Sequence, residues 1–458
     1  MDMLKYLFFT VLLFWGTTGQ CQFGPQQVIA QTANVTQIIV AVDIDGDGNI
    51  DVVSANKFGN SITWYKNLDG LGNFGSENTV ASLSETTFVC GSDLDGDGDI
   101  DLIAVAYFID LVVWYENLDG QGNFSTQKVI SNQADGSSSV SLTDIDGDGD
   151  MDVISASDFS GLAWYENLDG QGNFSSKKII DNTISNSRSV VAVDMDGDGD
   201  IDVLGNASGS LKIIWIENMD GIGNFDTRHI IYDTGAYTRV VFAADVDNDG
   251  DADVFSSSSG DNEIAWFENI DGFGNFGPKN SITSTLINAW TVYAADLDND
   301  GDMDVLATSV ETFGGEIVWF ENLDGMGNFS GKKIINAEVQ SPRSVIAADI
   351  DNDGDMDVIS SSQNDDKIAW YENMTIVGVD ENQLNILKIY PNPTKGLVFI
   401  NSKAENIVGV TVFDILGKKV FQVEGNIQQM DISNLQNGMY FLRLNTDDGD
   451  FVQKIIKD

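Results

Sequence analysis

From residue 22 to residue 374 the chain alternates short apolar runs, rich in Val, Ile and aromatic residues, with breaks of Gly, Asp, Asn and Ser. Runs of this length bounded by turn formers read as β-strands. One stretch shows four in a row, predicted at Ser189–Val193, Asp202–Asn206, Lys212–Glu217 and Phe225–Ile231. The pattern recurs along the chain. Aspartate-rich loops begin at Asp43, Asp93, Asp144, Asp194, Asp245, Asp296 and Asp349, at intervals of 50, 51, 50, 51, 51 and 53 residues. About twenty residues into each unit a second signature follows. It first reads Trp64-Tyr-Lys-Asn-Leu-Asp-Gly-Leu-Gly-Asn-Phe74 and returns around Trp114, Trp164, Trp215, Trp266 and Trp319. Four strands per unit and seven units of about fifty residues predict an all-β fold, a seven-bladed β-propeller.

The ends of the array carry a further expectation. The seventh unit stops at Trp370-Tyr-Glu-Asn373 and lacks the Gly-x-Gly-Asn-Phe half and the fourth strand. The segment Gln22-Phe-Gly-Pro-Gln-Gln-Val-Ile29 matches that missing strand, as in Asn73-Phe-Gly-Ser-Glu-Asn-Thr-Val80. An N-terminal strand completing the last blade would close the ring and remove two open sheet edges.

Each loop follows Asp-x-Asp-x-Asp-Gly-x-x-Asp, beginning with Asp43-Ile-Asp45-Gly-Asp47-Gly-Asn49-Ile-Asp51. Calcium takes six to eight oxygen ligands on a tightly turned backbone. Carboxylates at positions 1, 3, 5 and 9 with a carbonyl at position 7 meet that need, and the glycine at position 6 permits the turn. Without a cation, so many carboxylates within nine residues would repel one another. An EF-hand is disfavoured, because its bidentate Glu at position 12 is replaced by Ser54 and Ala104 in the first two loops. The Asp-Gly-x-Gly-Asn segments, such as Asp119–Asn123, read as hairpin turns, and Trp64 to Trp370 as packing anchors.

With these loops the chain resembles the FG-GAP/VCBS repeat family, whose propeller repeats also occur in integrin α-subunits. The resemblance covers about residues 22–374 and places it nearer the bacterial VCBS-type members. It implies about seven calcium ions, each in the loop between the first two strands of a blade. The ligands it implies are Asp43, Asp45, Asp47, Asn49 (through its carbonyl) and Asp51 in the first loop, then Asp93, Asp95, Asp97, Asp99 and Asp101 in the second. The third and fourth loops offer Asp144, Asp146, Asp148, Asp150 and Asp152, and Asp194, Asp196, Asp198, Asp200 and Asp202. Asp245, Asp247, Asp249, Asp251 and Asp253 form the fifth set, and Asp296, Asp298, Asp300, Asp302 and Asp304 the sixth. The seventh is Asp349, Asp351, Asp353, Asp355 and Asp357.

Charge divides the 458 residues unevenly. The total is −49, with 72 acids against 23 bases, which argues against nucleic acid as a partner. Residues 1–374 hold 62 of the acids and 15 of the bases, residues 375–458 only 10 and 8. Residues 1–21, with Lys5 ahead of the apolar stretch Tyr6–Trp15, read as a secretory signal peptide. The propeller is expected over 22–374, a linker over 375–384 and a separate module over 385–458. Five β-like runs in that module, Leu397–Asn401, Val408–Phe413, Lys419–Val423, Met439–Leu444 and Phe451–Ile456, suit a small Ig-like β-sandwich.

The tail resembles the type A C-terminal sorting domain of the type IX secretion system of Bacteroidota. The resemblance rests on Ile389-Tyr-Pro-Asn-Pro393, Val412-Phe-Asp-Ile-Leu-Gly-Lys418, Leu435-Gln-Asn-Gly-Met-Tyr-Phe-Leu442 and Gln453-Lys-Ile-Ile-Lys457. It implies passage through the periplasm, recognition by the type IX machinery, and a secreted or outer-surface protein.

Two cysteines and one histidine, His229, supply no disulfide framework, zinc cluster or histidine triad. No catalytic set and no organic cofactor motif stands out. A non-enzymatic binding or adhesion module, taking a glycan or surface protein and monomeric in its propeller, is therefore expected. A propeller-based polysaccharide lyase or hydrolase and a passive surface scaffold are the alternatives. Strand direction puts the acidic loops and the Asp-Gly-x-Gly-Asn turns on one face. The other face carries the variable loops, with Lys57, Phe58, Tyr107, Phe108, Asp158, Phe159, Tyr237 and Phe313. Six residues before each acidic loop stand Gln37, Thr87, Ser138, Arg188, Arg239, Trp290 and Arg343, which ring closure would gather at the central opening. Arg188, Arg239, Trp290 and Arg343 are accordingly candidate ligands for an acidic glycan or carboxylate.

Overall fold

The Val/Ile runs form strands that pair into seven four-stranded antiparallel sheets, in six of which each strand lies beside its neighbour in sequence. The computed structural model describes residues 22–233, 235–311, 314–375, 387–390, 394–402, 407–414, 418–425, 429–446 and 449–457. The signal segment, Phe313 and nearly all of the expected linker lie outside the described residues. The chain divides into two compact units at Thr375/Ile376.

The fourth blade shows how sequence becomes sheet, with strands Val190–Val193, Asp202–Ala207, Lys212–Asn218 and Phe225–Asp233. Second strands are buried at every position in six of the blades, as in Asp51–Asn56 and Asp152–Ser157. A strand sandwiched between two other sheets meets protein on both faces, so the two-residue alternation gives way to continuous small and branched residues. The apolar cores lie between neighbouring sheets. One joins Ile62 and Trp64 of the first blade to Val89, Leu102 and Val113 of the second.

The seventh sheet is completed from the N-terminus. Gln27–Ala30 pairs antiparallel with Lys367–Tyr371, setting Gln27 opposite Trp370. Phe23 bridges Asn373 just as Phe74 bridges Asn67 in the first blade. The expected closure of the ring is present, and another such core packs Ala30, Ile39, Val52 and Tyr65 against Ile350, Ile359 and Trp370 across the seam.

The C-terminal unit has two sheets around one core that includes Val398, Ile400, Val410, Met430, Leu442 and Ile455. Its four-stranded sheet runs Lys419–Glu424, Ile407–Asp414, Gly438–Thr446, Gly449–Lys457. The second sheet uses Leu387–Tyr390, Leu397–Ser402 and Gln429–Asp431. Two of these strands were not among the five expected. One is four residues ending before Pro391, the other a three-residue polar segment whose Met430 alone points to the core. Short strands of this kind owe their pairing to the neighbouring edge and leave no period in the sequence. No helix among the described residues is long and apolar enough to cross a membrane.

Candidate metal loops and channel mouth

Each acidic loop winds around its first aspartate. In the third, Asp144 Oδ1 accepts the N–H of Gly147 at 2.8 Å and Oδ2 that of Gly149 at 2.9 Å. Asp148 Oδ1 accepts from Asp150 N at 3.0 Å. Gly149 sits at φ +96°, a conformation a Cβ would strain. Asp152 is fully buried and anchors the loop, accepting from Ile145 N through Oδ2 and from Asn167 N at 2.7 Å through Oδ1.

These turns bring carboxylates together. Oxygens of Asp144, Asp146 and Asp152 lie within 4.8 Å of one another, as do those of Asp43, Asp45 and Asp51, of Asp93, Asp95 and Asp101, and of Asp194, Asp196 and Asp202. In the fifth loop the close group is Asp245, Asp247 and Asp249. In all seven loops the third-position carboxylate, from Asp45 to Asp351, keeps a buried Oδ1 with no hydrogen-bond partner. Burial and the negative charges of Asp148 and Glu166 push Asp146 up to about 6. An orphaned buried oxygen in a nest of like charge is what a divalent cation relieves, so these groups could hold one. In the first six loops the seventh-position side chain faces the turn of the same blade. A methyl on Gly170 would stand 2.4 Å from Asp150 Oδ1.

The Asp-Gly-x-Gly-Asn segments are turns, as expected. Asp119 accepts from Gln121 N at 3.1 Å and from Asn123 Nδ2 at 2.7 Å. Their second glycine has a packing role. A Cβ on Gly172 would lie 2.1 Å from Trp114 Cζ2 in the preceding blade, and the same holds for Gly223 over Trp164 and Gly274 over Trp215. Seven tryptophans thus lock blade to blade. Phe23 covers Trp319 edge-on at 6.0 Å where the seventh turn is missing.

Two residues that sequence reading passed over stand beside each tryptophan. Asn117 Nδ2 donates at 2.9 Å to the carbonyl of Ile44 in the preceding loop, and the equivalent bond recurs at every blade. The residue just before that Asn is Glu116, Glu166, Glu217, Glu268, Glu321 or Glu372, and Lys66 in the first blade. Four of these glutamates meet a basic side chain of the fourth strand, Lys128, Lys178, His229 or Lys333. His229 stacks on Trp215 at 4.2 Å, where other blades place lysine over tryptophan, so its role is structural. The signal was available in the sevenfold recurrence of both positions.

On the opposite face, all seven residues from Gln37 to Arg343 line one cavity of about 550 Å³. Arg188 is paired with Asp158, Nε to Oδ1 at 3.1 Å and Nη2 to Oδ2 at 2.9 Å. Tyr107 donates to the same carboxylate. Arg239 and Arg343 are not so neutralised. Their guanidinium carbons stand 3.9 and 3.8 Å from the centroid of the Trp290 ring. No carboxylate among the described residues pairs with either. Arg343 Nε is buried without a partner, and burial beside Arg239 lowers this guanidinium to about 10.

A seven-bladed propeller with an acidic, metal-competent loop at the base of each blade defines the class. The chain belongs to the family of FG-GAP-like repeats, whose model matches residues 43–104, 93–155, 144–205, 194–256, 245–307 and 309–360. The secretion system C-terminal sorting domain matches 388–458. That domain marks the protein for export to the cell surface or extracellular space by the type IX machinery. Among solved structures, a crystal structure of BBS1N in complex with ARL6DN, soaked with lead, is similar with a TM-score of 0.54 at 10% identity, covering 78% of this chain and 99% of that one. A mercury-soaked counterpart gives 0.51 at 11% identity, covering 78% and 98%. At such identity the likeness is one of fold. Two curated relatives match short segments. Ulvan lyase NLR42 of Nonlabens ulvanivorans is 28% identical over 99 residues, 21% of this chain and 18% of that protein. The endo-acting ulvan lyase of Formosa agariphila is 30% identical over 97 residues, 20% and 19%. The chain thus aligns with less than a fifth of either relative's length.

Proposed function

We propose that the exported propeller is a calcium-stabilised binding module that captures a carboxylate- or sulfate-bearing glycan at the mouth of its central channel. One observation carries this reading: Arg239 and Arg343 both stand within 4 Å of the Trp290 ring centroid in the lining of this cavity, with no carboxylate among the described residues to neutralise them, in a chain of net charge −49. Two guanidinium groups within 4 Å of an indole centroid, with no carboxylate paired to them among the described residues, have N–H groups left for an incoming anion. The indole edge and the neighbouring Tyr237 ring, 5.1 Å from Arg239, offer apolar surface beside them. Calcium in the loops of the other face would rigidify the blades without entering this site.

The test is a panel of neutral, carboxylated and sulfated glycans, ulvan among them, against calcium-loaded protein. Binding confined to the charged members and without change in their chain length supports the reading. Uniform indifference across the panel would sink it. The partial likeness to two ulvan lyases favours a second reading, a polysaccharide lyase, and new unsaturated ends in the same incubations would establish it instead.

A further inference from the structure

The seven copies of the acidic loop serve as controls for one another, and the first departs from the rest. Its side-chain set, Asp43, Asp45, Asp47, Asn49, Asp51 and Lys66, has four carboxylates and one ammonium. The corresponding second set, Asp93, Asp95, Asp97, Asp99, Asp101 and Glu116, has six carboxylates, and so do the other five. Both changes fall in the same loop and run in the same direction.

The geometry shows where the lysine goes. Lys66 Nζ contacts Asp45 Oδ2 directly and lies 2.9 Å from Asp47 Oδ2, joining the third- and fifth-position acids. Asp45 is 5% exposed. The ammonium thus sits among the acids that in the other loops have only each other for company. In the second and third loops the glutamate at Lys66's position pairs instead with a fourth-strand lysine, Glu116 with Lys128 and Glu166 with Lys178 at 2.6 Å each, and adds its negative charge to the surroundings of Asp95 and Asp146. Among the described residues no ammonium pairs with the third- or fifth-position acids of those two loops, whose mutual repulsion a cation would relieve. A strand residue carrying a fixed positive charge removes that need. It also repels a dication from the same few ångströms.

We propose that the ammonium of Lys66 is itself the cation of the first loop, so that the loaded propeller carries six divalent ions and one lysine in place of seven ions. This rests on the calcium reading of the loops. In the first blade, which meets the seventh at the ring seam, loop order would then persist when calcium is withdrawn.

The test is the number of calcium ions retained per full chain in native mass spectrometry after equilibration with calcium. Six are expected for the wild type and seven for Lys66→Glu, which restores the residue of the other blades. Lys66→Gln, which removes the charge at similar size, provides the same gain of one ion should the glutamate variant fail to fold. Seven ions on the wild type overturn the inference and leave the calcium reading standing. A count that rises in neither variant also overturns it. No ion on any of the three proteins removes the calcium reading, and this inference with it.

Discussion

Asn67 Nδ2 donates a 2.8 Å hydrogen bond to the carbonyl of Ile350, joining the first blade to the acidic loop of the seventh. The two residues are separated by 283 positions, yet the contact repeats the one that Asn117 makes with Ile44 and Asn167 with Leu94. Every acidic loop is therefore tied to the next blade by a buried amide. Truncating Asn67 to Ala leaves the Ile350 carbonyl without this donor, at a cost of about 1–3 kcal/mol. Asn218→Ala, inside the array, should cost about as much. Chemical denaturation of both variants checks this, and an unchanged midpoint for Asn67→Ala would show the seam to be held by other contacts.

The N-terminal segment closes the same seam. Phe23 is buried against Trp319, and Gln27–Ala30 pairs with the strand of Trp370. Phe23→Ala should cost about 3 kcal/mol. Removing residues 22–30 exposes a strand edge and should produce aggregation, read by light scattering on warming. A truncated protein as soluble and stable as the parent would argue against closure by this strand.

Turn glycines divide into two kinds. Gly172 has φ +71° and Trp114 where a Cβ would go, whereas Gly235 has φ +62° and open space. Gly235→Ala should cost about 1 kcal/mol through backbone strain alone. At Gly172 the same change also displaces an indole, adding about 1–3 kcal/mol. Equal losses in melting temperature for the two variants would contradict the interlock of blades.

Chelated protein should lose stability as pH rises. Burial, partly offset by backbone N–H groups, raises Asp101, Asp152, Asp202 and Asp253 to about 7, and Asp304 and Asp357 to about 8, from 3.8. Between those values the folded chain holds more protons than the unfolded one. Their contribution is complete below the unfolded pKa and is lost as pH climbs through 7 to 8. Melting temperature in chelator should fall from about pH 5 to about pH 8, and the gain on adding calcium should grow over the same interval. A chelated protein that becomes steadily more stable on going to alkaline pH would refute this.

At the channel mouth the arginines should differ in weight. Arg239→Ala together with Arg343→Ala should weaken binding of a charged glycan at least about 100-fold, since each charged hydrogen bond contributes about 1.5–3 kcal/mol. Arg188→Ala should matter less, because Asp158 already holds that guanidinium. Calcium-dependent melting should be unmoved in both variants. Titration calorimetry with the charged members of the panel separates these outcomes.

The sequence alone determined the repeat, the blade count and the closing strand, because each is written as a period or as a half-motif missing at one end and present at the other. The loops were equally legible, since Asp45 through Asp351 recur at one spacing and a tight turn of aspartates has few physical purposes. Tertiary structure decided the rest. Asn117 and Ile44 meet only once blades are stacked, and nothing local marks an asparagine as a staple to a carbonyl 73 positions away. Lys66 and Glu116 occupy equivalent places in sequence, but their opposite effects appear only where strand three folds back over the loop. Arg188, Arg239 and Arg343 looked alike in the chain. Packing made them different, by setting Asp158 against one and the Trp290 ring against the other two, since charge pairing depends on distances of a few ångströms that a repeat of fifty residues does not record.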